Sequence, residues 1–272
     1  MTAPTPASTT GPVAFISGGS SGIGLACARQ LLDRGWHVVI AARSTARLAE
    51  AVGALAAAGR ATAVALDVAD VAACAAAIAD VERDVGAIEL LITSAGIAEP
   101  GLFLEQDLDA HLRHLHINYI GTLALVHAVV PAMRARRRGR LLLVSSGAGL
   151  VGVYGYAAYA PSKFAVRGLA ETLQAELAEH GITTSVAYPP DTDTPQYAAE
   201  QATKPTTTKA ITAGGGLFSA DVVAKRIVEQ ALQGRFAITQ GATLWLLRWL
   251  HSLIGPLFLR WQQAQARRPD RH

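Results

Sequence analysis

The sequence predicts an α/β protein, a doubly wound parallel sheet with helices on both faces in a single domain. Two observations carry that prediction. Short runs rich in Val, Ile, Leu and Ala alternate with longer amphipathic stretches along most of the chain. Those short runs are apolar at nearly every position rather than at every second one, as strands covered on both faces are. A strand followed each time by a helix implies right-handed crossovers and therefore parallel neighbours.

Taken in order, strands are expected at Val13–Ile16, His37–Ala41, Thr62–Leu66, Leu90–Thr93, Arg140–Val144 and Thr183–Tyr188. Helical periodicity fills the intervals near 22–34, 45–58, 70–84, 105–135 and 156–180. Residues 1–11 read as a disordered leader, 12–241 as the domain and 242–272 as an apolar C-terminal extension. Within the domain, 191–219 is rich in Thr, Pro and Gly and is expected to be a long loop serving as a lid.

Composition narrows the class of protein. Of 272 residues, 51% are hydrophobic and 17% charged, which excludes intrinsic disorder. No uninterrupted apolar run reaches the ~18–20 residues of a spanning helix, and Met1–Gly11 lacks the features of a secretory signal. Cys27 and Cys74 sit in apolar helical patterns, so neither a disulfide framework nor a metal site is expected. A cytoplasmic protein follows as the default. The net charge of +3 comes from 20 Arg and 4 Lys against 21 acidic residues and carries no nucleic-acid footprint. The densest basic run, Arg134–Arg140, reads as a solvated turn, with a phosphate-binding patch as the alternative.

The first strand runs directly into Ser17-Gly18-Gly19-Ser20-Ser21-Gly22-Ile23-Gly24, which opens the first helix. Glycines there let the backbone turn tightly and approach a pyrophosphate, and the helix N-terminus offers free N–H groups to phosphate oxygens. This strand–turn–helix context marks a Rossmann-type dinucleotide site. The second strand ends Ala41-Ala42-Arg43-Ser44, without the carboxylate that would hold a ribose 2′-hydroxyl. Arg43 can instead grip a 2′-phosphate, with Ser44 and Arg47 adding contacts, so NADPH is the expected cofactor. A plain surface arginine at a helix start is the alternative for Arg43. Asp67 and Val68, after the third strand, are placed to meet the adenine ring.

A second constellation lies downstream. Ser146, Tyr159 and Lys163 are spaced by thirteen and four, with Asn118 upstream in Ile117-Asn118-Tyr119. Tyr159 and Lys163 at i, i+4 share a helix face, so an ammonium can sit beside the phenol. A phenol titrating near ~10 exchanges protons poorly at neutral pH unless a cation favours its ionised form. Ser146 would hold a carbonyl oxygen, and Tyr159 would give or take the proton while hydride moves to or from the cofactor.

The glycine turn, Tyr159-x-x-x-Lys163, Ser146 and Asn118 resemble the short-chain dehydrogenase/reductase family over roughly residues 12–240. The resemblance implies that Asn118 helps hold a water in a proton relay to Lys163. It also implies that Ala95, Gly96, Pro189, Thr192 and Thr194 border the cofactor. Two departures stand out. The family's Asn-Asn-Ala-Gly is Thr93-Ser94-Ala95-Gly96 here, which is expected to loosen the contact with the central strand. Its Pro-Gly is Pro189-Pro190, which stiffens the loop facing the nicotinamide. The family's usual association through the helices at 105–135 and 156–180 implies a homodimer or homotetramer.

Within that family, Tyr188-Pro189-Pro190-Asp191-Thr192-Asp193-Thr194-Pro195, Thr203-Lys204-Pro205 and Ser162-Lys163-Phe164-Ala165 resemble the 3-ketodihydrosphingosine reductases. These reduce 3-ketosphinganine with NADPH on the cytosolic side of a membrane, and their eukaryotic members carry an N-terminal hydrophobic anchor that this sequence is not expected to have. Other apolar ketones or alcohols (steroid, retinoid or 3-oxoacyl) stay open as substrates, as does a non-catalytic nucleotide sensor. A long alkyl chain would need an apolar channel, since each buried CH₂ is worth ~0.8 kcal/mol. Asp191 or Asp193 would face the substrate ammonium, although Asp193-Thr194-Pro195 is also a good helix start. The stretch 243–261 carries three of the four tryptophans. Arg248, His251 and Pro256 interrupt it, which suits a helix lying in a membrane interface, a dimer contact or a cover over the substrate mouth.

Overall fold

All six expected strands form, and a seventh joins them. The protein is described here by a computed structural model covering residues 11–55 and 59–267; the N-terminal part of the expected leader, residues 56–58 of the second expected helix and the last five residues of the extension lie outside the described residues. The strands are β1 (Val13–Ser17), β2 (His37–Ala42), β3 (Ala61–Ala65), β4 (Ile88–Thr93), β5 (Gly139–Val144) and β6 (Ile182–Tyr188). A two-residue pair, β7 (Thr192–Asp193) with β8 (Phe218–Ser219), stands apart, and β9 (Ala237–Thr239) closes the main sheet. The order is β3-β2-β1-β4-β5-β6-β9, with every pairing parallel. Winding reverses between β1 and β4, and a ligand crevice belongs at the carboxyl ends of those two strands. The three residues of β9 are too few to carry a period, which is why sequence patterning misses them.

The helices are α1 (Gly22–Leu32), α2 (Thr45–Leu55), α3 (Val71–Asp84), α4 (Leu108–Leu115), α5 (Gly121–Ala135), α6 (Tyr159–Glu176), α7 (Pro195–Thr203), α8 (Thr206–Thr212), α9 (Ala220–Leu232) and α10 (Gly241–Ala266). Alternate strand residues serve two separate cores. Val13 and Phe15 of β1 pack with Cys74, Ile78, Leu125, Met133 and Val166 from α3, α5 and α6. Ala14 and Ile16 pack with Cys27, Leu31, Leu48, Val223 and Ile227 from α1, α2 and α9. The two cysteines therefore lie on opposite faces of the sheet, both free. Burial raises their thiols to about 12 for Cys27 and about 11 for Cys74, which keeps them unreactive.

Three expectations need correction. Residues 191–219 are not a loop: they hold β7, α7, α8 and β8. Thr194 caps α7 by accepting from Tyr197 N, and Pro195 occupies the first helical position, where its missing N–H costs nothing. The expected helix at 105–135 is interrupted by a π turn at His116–Ile120, between α4 and α5. Finally, the Arg134–Arg140 run is not simply solvated. Arg136 makes a bidentate pair with Glu82 at 3.0 and 3.1 Å and also donates to Ile88 O, tying the start of β5 to α3 and β4. Arg138 pairs with Glu89 at 2.8 Å.

Candidate active site

The glycine turn is built so tightly that side chains are excluded. Gly18 and Gly22 have positive φ of 70° and 53°, and a Cβ on Gly24 would lie 2.3 Å from the carbonyl oxygen of Gly18. Gly18 N and Gly19 N both donate to Ala41 O, at 2.8 and 3.2 Å, so the turn is held against the end of β2. Ser21 stands at the N-cap of α1 in extended conformation with no side-chain cap, which leaves the first amides of the helix available. Gly18, Ser21, Gly22 and Ile23 line a cavity of about 640 Å³. A cradle closed to side chains, with uncapped helix amides facing a cavity, fits a dinucleotide pyrophosphate. Ser20 and Gly24 shape this turn without lining the cavity.

Arg43, Ser44 and Arg47 follow at the exposed end of β2. Arg43 makes no ion pair among the described residues, and Ser44 Oγ accepts from Arg47 N at 3.3 Å. The Asp67 carboxylate is exposed and accepts from Ala69 N at 3.0 Å. The Val68 side chain turns inward instead, so close to Gly121 that a Cβ there would come within 2.9 Å. Its side chain belongs to the core.

Across the crevice, Ala95 and Gly96 line the same cavity. Ala95 N donates to Ser17 Oγ at 3.3 Å and Ser94 N to Ser17 O at 3.1 Å. The contact with the central strand survives the loss of the two asparagines, and the looseness is confined to the buried Thr93 hydroxyl, which has no partner among the described residues. Asn118 sits in the π turn, a distortion often found at functional positions. Its Oδ1 accepts from Ile97 N at 2.8 Å, while Nδ2 donates to Ile97 O at 3.0 Å and to Ser162 Oγ at 2.9 Å. It thus ties the loop after β4 to α6.

Ser146, Tyr159 and Lys163 all line the cavity, and Ser146 and Lys163 both reach Tyr159. Ser146 follows β5 and caps a short turn, its Oγ accepting from Ala148 N at 3.2 Å. Lys163 Nζ lies 5.7 Å from the centre of the Tyr159 ring and donates to Val144 O at 3.1 Å. Burial pulls the Lys163 ammonium down to about 8. Burial, and then the charge of Glu200, push the Tyr159 phenol above its ordinary range, opposed by a hydrogen bond with Ser146. The phenol is thus held protonated, and the ammonium expected to favour its ionised form does not outweigh its burial. Beneath it, buried His114 stacks edge-on at 6.3 Å. Its Nε2 accepts from Glu99 N at 3.0 Å and its Nδ1 faces Ala110 O at 2.7 Å.

Pro189, Thr192 and Thr194 border the cavity from the β6 side. The methyl of Thr194 stands 3.0 Å from where a Cβ on Gly22 would be, so the base of α7 reaches over the glycine turn. Asp191 lines the cavity, whereas Asp193 is exposed and outside it. Sequence reasoning missed one contributor and left a second among several readings. Glu200 enters from α7, accepting from the Tyr156 hydroxyl at 2.9 Å; nothing in the pattern of a lid read as a loop could have singled it out. The other is α10, which turns Leu244, Leu247, Ile254, Phe258 and Trp261 into the cavity. Buried Gln262 anchors it, accepting from Tyr154 N at 2.6 Å and donating to Gly152 O at 2.9 Å. Of the three readings of the tail, its inner face is a wall of the cavity mouth.

The outer face of α10 is bare: Trp249, Leu253 and Leu257 are each more than 60% exposed. By length and composition α10 could cross a membrane, as could Leu108–Ala135, which contributes instead to the core. Leu250, between Arg248 and His251, leaves helical geometry, so α10 consists of two helical segments joined across a kink.

The short chain dehydrogenase family model matches residues 12–205. This chain belongs to the short-chain dehydrogenase family. Among relatives of this short-chain dehydrogenase, the 3-dehydrosphinganine reductase of Danio rerio is 36% identical over 94% of this chain and 79% of its own. The 3-ketodihydrosphingosine reductase of Bos taurus is 34% identical over the same shares. A short-chain dehydrogenase from Streptomyces avermitilis superposes with a TM-score of 0.79 at 25% identity, covering 94% of this chain and 98% of that one. A short-chain dehydrogenase/reductase from Burkholderia phymatum, in complex with NAD, gives 0.79 at 28% identity, covering 92% and 96%.

Proposed function

We propose that this short-chain dehydrogenase reduces 3-ketosphinganine to sphinganine with NADPH. The observation that carries the reading is one cavity joining two chemistries. Ser146, Tyr159 and Lys163 line it, and Val153, Ile211 and the inner face of α10 make its far end apolar. That end suits a long alkyl chain, and the names of the two relatives point to a long-chain amino ketone.

Gly18 to Gly24 would hold the pyrophosphate, with Ala95, Gly96, Pro189, Thr192 and Thr194 around the rest of the dinucleotide and Arg43, Ser44 and Arg47 at the 2′-phosphate. The bound cofactor supplies the hydride. Ser146 holds the ketone oxygen, and Tyr159, protonated at neutral pH, donates its proton to that oxygen as negative charge develops. Lys163 keeps a cation beside the phenol while it ionises. Asn118 acts by fixing the loop after β4 against α6.

We also read the bare outer face of α10 as resting in the lipid interface, on the cytoplasmic side, with tryptophans and Arg248 at headgroup depth. Leu108, Leu112 and Leu115, exposed on α4 beside Phe103 and Leu104, are the apolar stripe through which a homodimer or homotetramer would form.

The deciding assay follows NADPH absorbance with 3-ketosphinganine in detergent micelles, beside NADH and a 3-oxoacyl thioester. Turnover of the sphingoid ketone with NADPH is expected. Turnover of the thioester alone would refute the substrate. Liposome flotation of the wild type against Trp249→Asp/Leu253→Asp tests the interface, and equal flotation would remove it.

A further inference from the structure

Two carboxylates reach the cavity from the lid, and their surroundings differ. Asp191 pairs with Lys204 at 3.5 Å, and that ammonium is buried, its side chain 1% exposed. The same Lys204 lies over the rings of Tyr156 and Tyr197, at 5.6 and 5.7 Å. Glu200 has neutral hydrogen-bond partners, the Tyr156 hydroxyl at 2.9 Å and the Gln196 amide at 3.1 Å. Lys204 thus serves two carboxylates, and Glu200 faces a cavity whose other ammonium, Lys163, feels its charge but makes no ion pair with it. Burial raises Glu200 above the ordinary carboxylate range, as it does Asp191.

Its position matters as much as its charge. Glu200 grips the Tyr156 hydroxyl, and the Tyr156 ring lies 5.4 Å from that of Tyr159. The carboxylate therefore stands one aromatic ring away from the phenol proposed to protonate the ketone.

We propose that Glu200 is the ammonium-binding residue of the substrate pocket, selecting long-chain ketones that carry a protonated amine on the carbon beside the carbonyl. This rests on the function proposed above and replaces Asp191 and Asp193, the first already paired and the second outside the cavity. A carboxylate accepting from an ammonium in a water-poor site makes a charge-assisted hydrogen bond, stronger than a neutral one. Seating the ammonium also offsets the charge that adds to burial in raising the Tyr159 phenol, so the correct substrate eases ionisation of its own proton donor.

The test compares kcat/KM for 3-ketosphinganine with that for the chain-matched ketone lacking the amine. Wild type should prefer the amine. Glu200→Gln and Glu200→Ala should lower that preference by about tenfold or more, the size of a lost hydrogen bond to a charge. Both ketones use the same phenol, and the ratio reads the ammonium's contact with Glu200 together with its easing of Tyr159 ionisation. An unchanged ratio in both variants, with wild type still preferring the amine, would overturn the role of Glu200 and leave the substrate standing. No wild-type preference would overturn the ammonium site altogether. A variant-free arm compares a long-chain primary amine with the alcohol of equal length as inhibitors of wild type, using any ketone the enzyme turns over. The amine should inhibit more tightly, and equal inhibition counts against the site. Tighter inhibition by the amine without turnover of 3-ketosphinganine would fault the substrate alone.

Discussion

At the scale of single residues, the proton-transfer set owes its properties to burial. Tyr159→Phe removes the donor while leaving the ring, and should lower kcat by ~10²–10⁴-fold with NADPH binding retained, read by turnover and cofactor fluorescence. Lys163 is charged below about 8 and neutral above it. Reduction should therefore fall as pH rises through that value, and a profile flat to pH 9.5 would contradict the role given to the ammonium. Arg43 sits exposed beside the turn bonded to Ala41. Arg43→Ala should raise KM for NADPH by about 10–100-fold and leave NADH nearly unchanged, as expected for a lost charge-assisted pair. Ser146, Tyr159 and Lys163 were legible in the sequence because their chemistry needs fixed types at short spacing. Glu200 was not, because its meaning depends on where α7 comes to rest, and sequence spacing carries no such distance.

At the scale of elements, the six longer strands were legible within two residues because parallel strands buried on both faces read as unbroken apolar runs. The lid was not. The segment as a whole read as loop, although Thr194 and Pro195 were legible as the helix start they form; the second helix, after Pro205, was not. The π turn was hidden as well, since its residues continue a helical pattern and only Asn118 marks it. The inner face of α10 could be foreseen merely as one of three uses for the tail. Gln262→Ala tests that wall. It strands Tyr154 N and Gly152 O, costing about 1–3 kcal/mol, or roughly 2–4 °C of Tm per kcal/mol for a chain of this size. KM for a long-chain ketone should rise more than KM for a short one. An equal change for both would mean that α10 only stabilises the fold.

At the scale of the whole molecule, two buried histidines set the acid limit of stability. Burial lowers His114 and His37 below their ordinary 6.5, so the unfolded chain takes up protons first as pH falls. Stability should be full above pH 6.5 and decline below it, by at most about 1.4 kcal/mol per pH unit for each imidazole. Urea midpoints at pH 7.5 and 5.5 measure the slope, and an unchanged midpoint would show that neither ring resists protonation. The family match ends at residue 205, whereas Ile211, Leu244, Leu247, Ile254, Phe258 and Trp261 lie beyond it. Most of the cavity's apolar wall thus follows the proton-transfer residues along the chain, Val153 being an exception. Such a layout is modular in the genetic sense: a single crossover near residue 205 could exchange the ruler that measures an alkyl tail while the machinery that moves the proton is inherited intact.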